Sequence, residues 1–287
     1  MLKKLTKRDY FEDSTLPLQV HIRDPQPAFP LHSHAFDEMV IILKGTGLHV
    51  VDEQELPVKS GDVFIVAGTH KHEYKDIHGL ALANVLFDAK VLGMPHWDIR
   101  ALPGFHALFE LEPQLRNQHK FTSRLRLNER QLRHANDLLY RLTAETNNCN
   151  PGYRVMATGF FMELTVFLSR CYSEKSAEGS LELLRIGDAI AHIETRYAEK
   201  ISLEDLAQKA HLSARHFQRV FHKYVGRSPI DYLLHIRIDK AAELLQNTNH
   251  TITEIAFDCG FTDSNYLTRY FRKITTQTPG QYRKSHS

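Results

Sequence analysis

Cysteine is scarce in this chain of 287 residues, with only Cys149, Cys171 and Cys259. Three unpatterned thiols offer neither a disulfide framework nor a CxxC metal site, and they favour a reducing compartment. Tryptophan occurs once, at Trp97. No apolar run approaches the roughly 20 residues of a membrane-crossing helix. The opening stretch MLKKLTKRDYFED has no apolar core of signal-peptide length. These absences predict a cytoplasmic protein without a membrane partner. Net charge is low as well, at +2, so bulk electrostatics announces no polyanion. Apolar content of 42% and charged content of 24% are ordinary for a globular chain. The length allows one or two domains with sizeable cores.

What the chain does have is a repeat. Leu203, Leu206, Ala207, Ala210 and Leu212 recur as Ile252, Ile255, Ala256, Cys259 and Phe261. Phe217, Arg219, Phe221, Pro229 and Tyr232 recur as Leu267, Arg269, Phe271, Pro279 and Tyr282. Each copy reads as helix, tight turn, helix. In the first, Ser213 stands at the N-cap position of the second helix. Phe217, Val220, Phe221 and Tyr224 fall on its inner face. Arg215, Arg219, Lys223 and Arg227 form a basic stripe, and no acid interrupts it from His211 to Ile230. In the second copy Thr262 or Asp263 caps. Tyr266, Leu267, Tyr270 and Phe271 face inward, leaving Ser264, Asn265, Arg269 and Arg272 outside. A stripe on one helix reads equally well as a solvated surface. Its recurrence on a repeated helix-turn-helix favours nucleic acid, because Arg and Asn grip guanine and adenine edges with paired hydrogen bonds. Between the copies, Pro229 to Asn247 reads as an amphipathic helix with Leu233, Ile236, Ala241, Leu244 and Leu245 inward. Its length of roughly 28 Å approaches the roughly 34 Å between successive major-groove faces of B-DNA.

The N-terminal half is rich in histidine, with 11 of the 18 lying before position 135. LQVHIR, EMVIILKG, GLHVVD, QELPVKSGDVFIVA and LALANVLF read as short strands, punctuated by Gly45, Gly47, Gly61 and Gly68. Such spacing suggests a barrel or jelly roll. Within it, PLHSHAFDEMVIILKG supplies His32, His34 and Glu38, and His72 follows GDVFIVAGTHK. This pattern resembles the two motifs of the cupin barrels, with Ala67 and Asp76 departing from them. Three readings stay open for His32, His34, Glu38 and His72: a polar pocket for a hydroxylated effector, a divalent-metal site, or a structural remnant. Pocket and metal are compatible. His49, His70 and His78 read as surface or strand histidines.

From Met94 to Thr122, Pro95, Pro103 and Pro113 argue against a long helix. Trp97, Phe105, Phe109 and Phe121 read as core, Trp97 in preference to a sugar-stacking role. Two helices follow, Asn128 to Asn147 and Arg154 to Tyr172. The first has Leu132, Leu138, Leu139 and Leu142 inward. The second carries Val155, Met156, Phe160, Phe161, Leu164, Val166, Phe167 and Leu168, and is apolar on more than one face. Met162 and Cys171 read as packing residues. SEKSAEGS is short and polar, a linker in composition. A helix from Leu181 to Tyr197 then buries Leu184, Ile186, Ile190 and Ile193.

The second copy also carries a longer signature: Ile255-Ala256, Cys259-Gly260-Phe261, Asp263-Ser264, Phe271-Arg272-Lys273 and Thr278-Pro279-Gly280-Gln281-Tyr282-Arg283. It resembles the DNA-binding domain of the AraC/XylS family of transcription regulators, and the likeness extends over nearly the whole chain. Around His32 to Val51 it is most similar to the activators of L-rhamnose operons. The resemblance implies an α+β protein: a cupin-like effector-binding β-barrel over residues 1–122, a helical hairpin for dimerisation over 123–172, a linker over 173–180, and an all-α domain of two helix-turn-helix units over 181–287. It implies a DNA-binding activator of transcription, not an enzyme, controlled by a small-molecule effector such as a sugar. Arg215, Gln218 and Arg219 would read bases in the first unit, and Ser264, Asn265, Tyr266 and Arg269 in the second. Glu254 would face the sigma subunit of RNA polymerase, and the hairpin would form a homodimer. Two rivals stay open: a metal-dependent cupin oxygenase or isomerase with a DNA-binding tail, and a stress or virulence regulator with another effector.

Overall fold

The computed structural model describes residues 3–286 except Glu12, Ser14, Ala28, Glu53, Thr69 and residues 95–97, 117–124 and 175–177. The expectations for Trp97 and Phe121 therefore lie outside the described residues. The chain divides into two compact units, Met1–Gly187 and Asp188–Ser287.

The first unit is built on one eight-stranded sheet. Its strands are β1 (Lys3–Leu5), β2 (Leu18–Arg23), β3 (His32–His34), β4 (Asp37–Val51), β5 (Gln54–Lys59), β6 (Asp62–Val66), β7 (His72–Phe87) and β8 (Leu125–Arg126). A short helix α1 (Lys7–Tyr10) follows β1. The spine is the antiparallel pair of β4 and β7, with β5 and β6 pairing to β4, and β2 and β3 to β7. The sequence divides β4 into two strands at its glycines, but the structure runs through them. Three register irregularities between Ile42 and Leu48 bend the strand without ending it. Gly45 makes this possible: its φ is +75°, and a Cβ there would lie 2.2 Å from Gly79 O on β7. Likewise LALANVLF is only the second half of β7. Side chains alternate about the sheet. One face packs Val40, Ile42, Val58, Phe64, Val66, Leu80 and Leu82 into a core.

Pro95 lies outside the described residues, and Pro103 and Pro113 sit in short helical segments. Pro103 opens α2 (Pro103–Phe105) at a position where no donor is lost. The chain continues through a π-helical turn (His106–Leu111) into α3 (Glu112–Arg116), which takes Pro113 in its first turn. The hairpin is α4 (Glu129–Asn148) and α5 (Tyr153–Glu174), with Asn128 capping α4 through a reciprocal bond with Gln131. Leu138, Leu139, Leu142, Phe161, Leu164 and Cys171 are buried as expected, and Leu132 is half-buried. Met162 is not a packing residue: it stays exposed, with Tyr140, Val155 and Met156. Most of the expected linker is helical, since α5 runs to Glu174 and α6 (Glu178–Arg196) begins at Glu178. Leu183 takes the buried place expected of Leu184.

The second unit contains α7 (Leu203–Lys209), α8 (Ala214–Val225), α9 (Pro229–Asn247), α10 (Ile252–Asp258), α11 (Ser264–Thr275) and α12 (Pro279–His286). The repeat is literal. Ser202 with Asp205 and Thr251 with Glu254 form matching capping boxes. His211 and Gly260 hold the same left-handed turn, at φ +53° and +78°. Glycine is needed in the second copy, because a Cβ there would meet Ala198 O at 2.6 Å. Gly226 and Thr276 then end α8 and α11 in the left-handed region. The central helix α9 buries Leu233, Leu234, Ile238, Ala241 and Leu245, so Ile236 and Leu244 sit at the margin. It also buries Arg237, whose Nε and Nη2 donate to Tyr197 O at 2.7 Å and Glu199 O at 2.8 Å. This guanidinium ties the end of α6 to the rod by satisfying carbonyls that a helix end leaves open.

Candidate DNA interface and ligand cavity

On α8, Ser213 caps and the inward set is the expected one: Phe217, Val220, Phe221 and Tyr224 are all buried. Arg215, Gln218 and Arg219 are exposed. Lys223 is exposed too and donates to Tyr224 Oη at 2.8 Å. Arg227 does not belong to the helical stripe, because the helix stops at Val225. On α11, Asp263 is the cap, accepting from Tyr266 N at 2.7 Å. Asn265 and Arg269 are exposed, while Ser264 and Tyr266 are half-buried. The Arg269 guanidinium lies 5.2 Å from the Tyr266 ring centre and 5.6 Å from that of Tyr270. Both rings pack against the core of Leu267 and Phe271. Two aromatic faces thus hold the cation by cation–π attraction. The sequence puts Tyr266 on the inner face and the resemblance puts it at the interface; the ring is half-buried.

Glu254 is exposed, but Oε2 is already occupied, accepting from Thr251 N at 2.7 Å and Thr251 Oγ1 at 2.9 Å. These bonds hold its carboxyl below the usual range. Asp205 makes the same bonds in the first copy. An acid at this position therefore has a capping role whatever else it contacts.

The β-domain holds a cavity of about 280 Å³, close to the lower end of small-molecule pockets at roughly 300 Å³. His32, His34, Glu38 and His72 all line it, and all four are buried. Strand pairing explains the convergence. His32 sits opposite His72 across β3 and β7, and Glu38 opens the neighbouring β4. Ligand atoms of His32, Glu38 and His72 lie within 4.8 Å of one another, the one such grouping among the described residues. His34 stands apart from that trio and serves its carboxylate. Its Nε2 donates to Glu38 Oε2 at 3.1 Å and its Nδ1 to Phe36 O at 2.6 Å. Burial opposes the charged ring, but these two bonds and the Glu38 charge outweigh it, so the His34 pKa is raised. His32 Nδ1 donates to Pro30 O at 3.1 Å, which fixes the orientation of the ring. Two imidazoles and a carboxylate suit a divalent transition metal, and equally suit a ligand's hydroxyl groups.

One of the three histidines read as peripheral belongs here. His49 is fully buried, stacked between Phe64 and Tyr74, and its Nε2 lies 3.2 Å from His72 Nδ1. It supports His72 from behind. His78 is exposed as expected, and His70 is half-buried against Asp52 at 2.6 Å. Nothing in the local motif marks His49. Its place follows from pairing with Tyr74 across β4 and β7, two residues from His72.

A family model described as an AraC-like ligand binding domain matches residues 20–147, and one described as a helix-turn-helix domain matches residues 206–285. The chain is similar to the HTH-type transcriptional activator RhaS of Enterobacter sp. (strain 638), with 31% identity covering 96% of this chain and 95% of that one. It is also similar to the HTH-type transcriptional activator RhaR of Mannheimia succiniciproducens, at 26% identity over 98% and 96% of the two chains. Among solved structures, an AraC-type DNA-binding regulator from Chromobacterium violaceum matches at 29% identity over 36% of this chain and 92% of that one, with a TM-score of 0.35. The chain belongs to the AraC family of transcription regulators, binding ligand with its N-terminal half and DNA with its C-terminal half.

Proposed function

We propose that a neutral sugar, with L-rhamnose the first candidate, enters the β-domain cavity at His32, His34, Glu38 and His72 and switches on transcription. The observation that carries this reading is the cavity itself: a space of monosaccharide scale with four buried polar side chains converging on it. The near-full-length similarity to RhaS and RhaR supports the choice of activator and of sugar, and supports a non-enzymatic role. Arg215, Gln218 and Arg219 would read one stretch of major groove, and Ser264, Asn265, Tyr266 and Arg269 the next. The effector acts by binding more tightly to the DNA-competent arrangement, since only differential affinity moves such an equilibrium.

Two partners, a setting and an ion complete the proposal. A second copy of the chain would cover the exposed Tyr140, Val155, Met156 and Met162 of the hairpin, in a two-fold interface. The polymerase sigma subunit would meet Glu254 through the carboxylate oxygen not used in the cap. The setting would be the cytoplasm; among the described residues no helix is long and apolar enough to cross a membrane. Convergence of His32, Glu38 and His72 also favours a second component, a divalent ion that would polarise a sugar hydroxyl.

The test is a thermal-shift series on the full-length protein with neutral sugars and divalent metals. L-Rhamnose should raise Tm, because a ligand of the folded state stabilises it. His34→Ala should abolish that shift and the transcriptional response while sparing DNA binding. Induction that survives His34→Ala intact would overturn the assignment of the cavity.

A further inference from the structure

The cavity has a second polar end that the histidine–carboxylate cluster does not explain. His21 on β2 and Asn84 on β7 are direct cross-strand partners. On its other side Asn84 faces Val40 of β4, which has nothing polar to offer. Gln26, just beyond β2, is anchored by its backbone N–H to Leu80 O at 2.7 Å. All three residues line the cavity. His21 Nε2, Gln26 Oε1 and Asn84 Oδ1 are each buried without a hydrogen-bond partner. Folded proteins seldom leave such atoms unmet, and here three surround one space.

Their chemistry restricts what can answer them. Gln26 Nε2 donates to Pro27 O at 2.9 Å, which fixes the amide and leaves Oε1 as an acceptor. Burial, with Arg23 adding to it, pushes the His21 pKa down in spite of Glu38, so that ring is neutral near pH 7. Two amide acceptors and a neutral imidazole take hydroxyl donors, and the cation that also lines the cavity, Arg23, is exposed to solvent, so a uronate is the probe that tells a neutral ring from an anion. Glu38 sits opposite Leu86, and Asn84 lies two residues along the same strand. Such diagonal positions are about 7–8 Å apart, a span that one sugar ring covers with its hydroxyls. Phe29, Phe36 and Leu86 also line the space and offer apolar faces to the C–H surface of a ring.

We propose that His21, Gln26 and Asn84 form a second hydroxyl-binding pole, so that the cavity grips a neutral polyhydroxylated ring at both ends. This rests on the sugar reading above and assigns specificity within it. The first pole holds the ligand by charge-assisted bonds, and the second selects which hydroxyls it must carry.

Calorimetry on the full-length protein tests this, with L-rhamnose, a panel of other neutral aldoses and one uronate as probes. The forms compared are wild type, Asn84→Leu and Gln26→Met, each replacing an unmet polar atom by an apolar one of similar size. Both variants should bind the preferred aldose at least tenfold more weakly. Their unliganded Tm should equal or exceed that of wild type, a result no merely structural role predicts. Should Asn84→Leu fail to fold, Gln26→Met decides alone. Wild-type affinity, within twofold, in the folded variants would overturn the second pole and leave the sugar reading standing. Preference for the uronate would overturn the neutral pole. A wild type that binds no aldose would overturn both readings.

Discussion

In the first helix-turn-helix unit the outer face of α8 carries Arg215, Gln218 and Arg219 extended into solvent. In the second, Arg269 on α11 rests between Tyr266 and Tyr270, which are themselves seated on the core. The backbones beneath are the same, down to matched capping boxes and left-handed turns. The difference therefore lies in how much freedom each cation keeps. A free Arg loses side-chain entropy on binding, whereas a stacked one has already given it up. The scaffold repeats while the two faces differ, the first carrying exposed arginines and the second an arginine held against two rings.

The largest effects should fall on what the units share. Phe221 and Phe271 are equivalent and both fully buried. Phe221→Ala and Phe271→Ala should each cost about 3–5 kcal/mol of stability, read by denaturant unfolding. A disparity of twofold or more would break the structural equivalence. Next come the readers. Arg219→Ala and Arg269→Ala should each weaken specific DNA binding by about 1–3 kcal/mol and relax preference at one base pair. Competition binding against random DNA checks this, and equal loss on both DNAs would make them phosphate contacts. If stacking positions Arg269, Tyr270→Leu should reproduce about 0.5–1 kcal/mol of that loss, while leaving the first unit's base preferences untouched. The smallest effect separates the acids. Glu254→Gln retains a capping side chain, so Tm and DNA affinity should hold while promoter activation falls. Asp205→Asn should leave activation unchanged. Equal effects of the two would reduce Glu254 to a cap.

Much of the second unit was legible because helical periodicity, caps and a repeat all state the same answer locally. Ser213, Asp263 and Pro229 take the places their chemistry predicts. Arg237 was not legible: an arginine in an amphipathic helix reads as surface, and only the packing of α6 against α9 gives it carbonyls to bind. In the β-domain His32, His34, Glu38 and His72 were recognisable from their resemblance to the cupin motifs. His21 and Asn84, which line the cavity, and His49, which backs His72, were not, since the long pairing of β2, β4 and β7 puts them there, and register is a non-local property. The glycines of β4 misled for a related reason: Gly45 serves a bend within a continuous strand. Pro103 and Pro113 fit the expectation of no long helix: each stands in the first turn of a short helix, where proline is tolerated.

The central claim is that two joined readers occupy successive major-groove segments on one face of a duplex. Hydroxyl-radical footprinting of the full-length protein, on a site selected from random DNA, tests it most directly. Two protected segments about 10 base pairs apart are expected for each chain, with Arg219→Ala weakening one and Arg269→Ala the other. A single protected segment, or two that weaken together with either substitution, would contradict it.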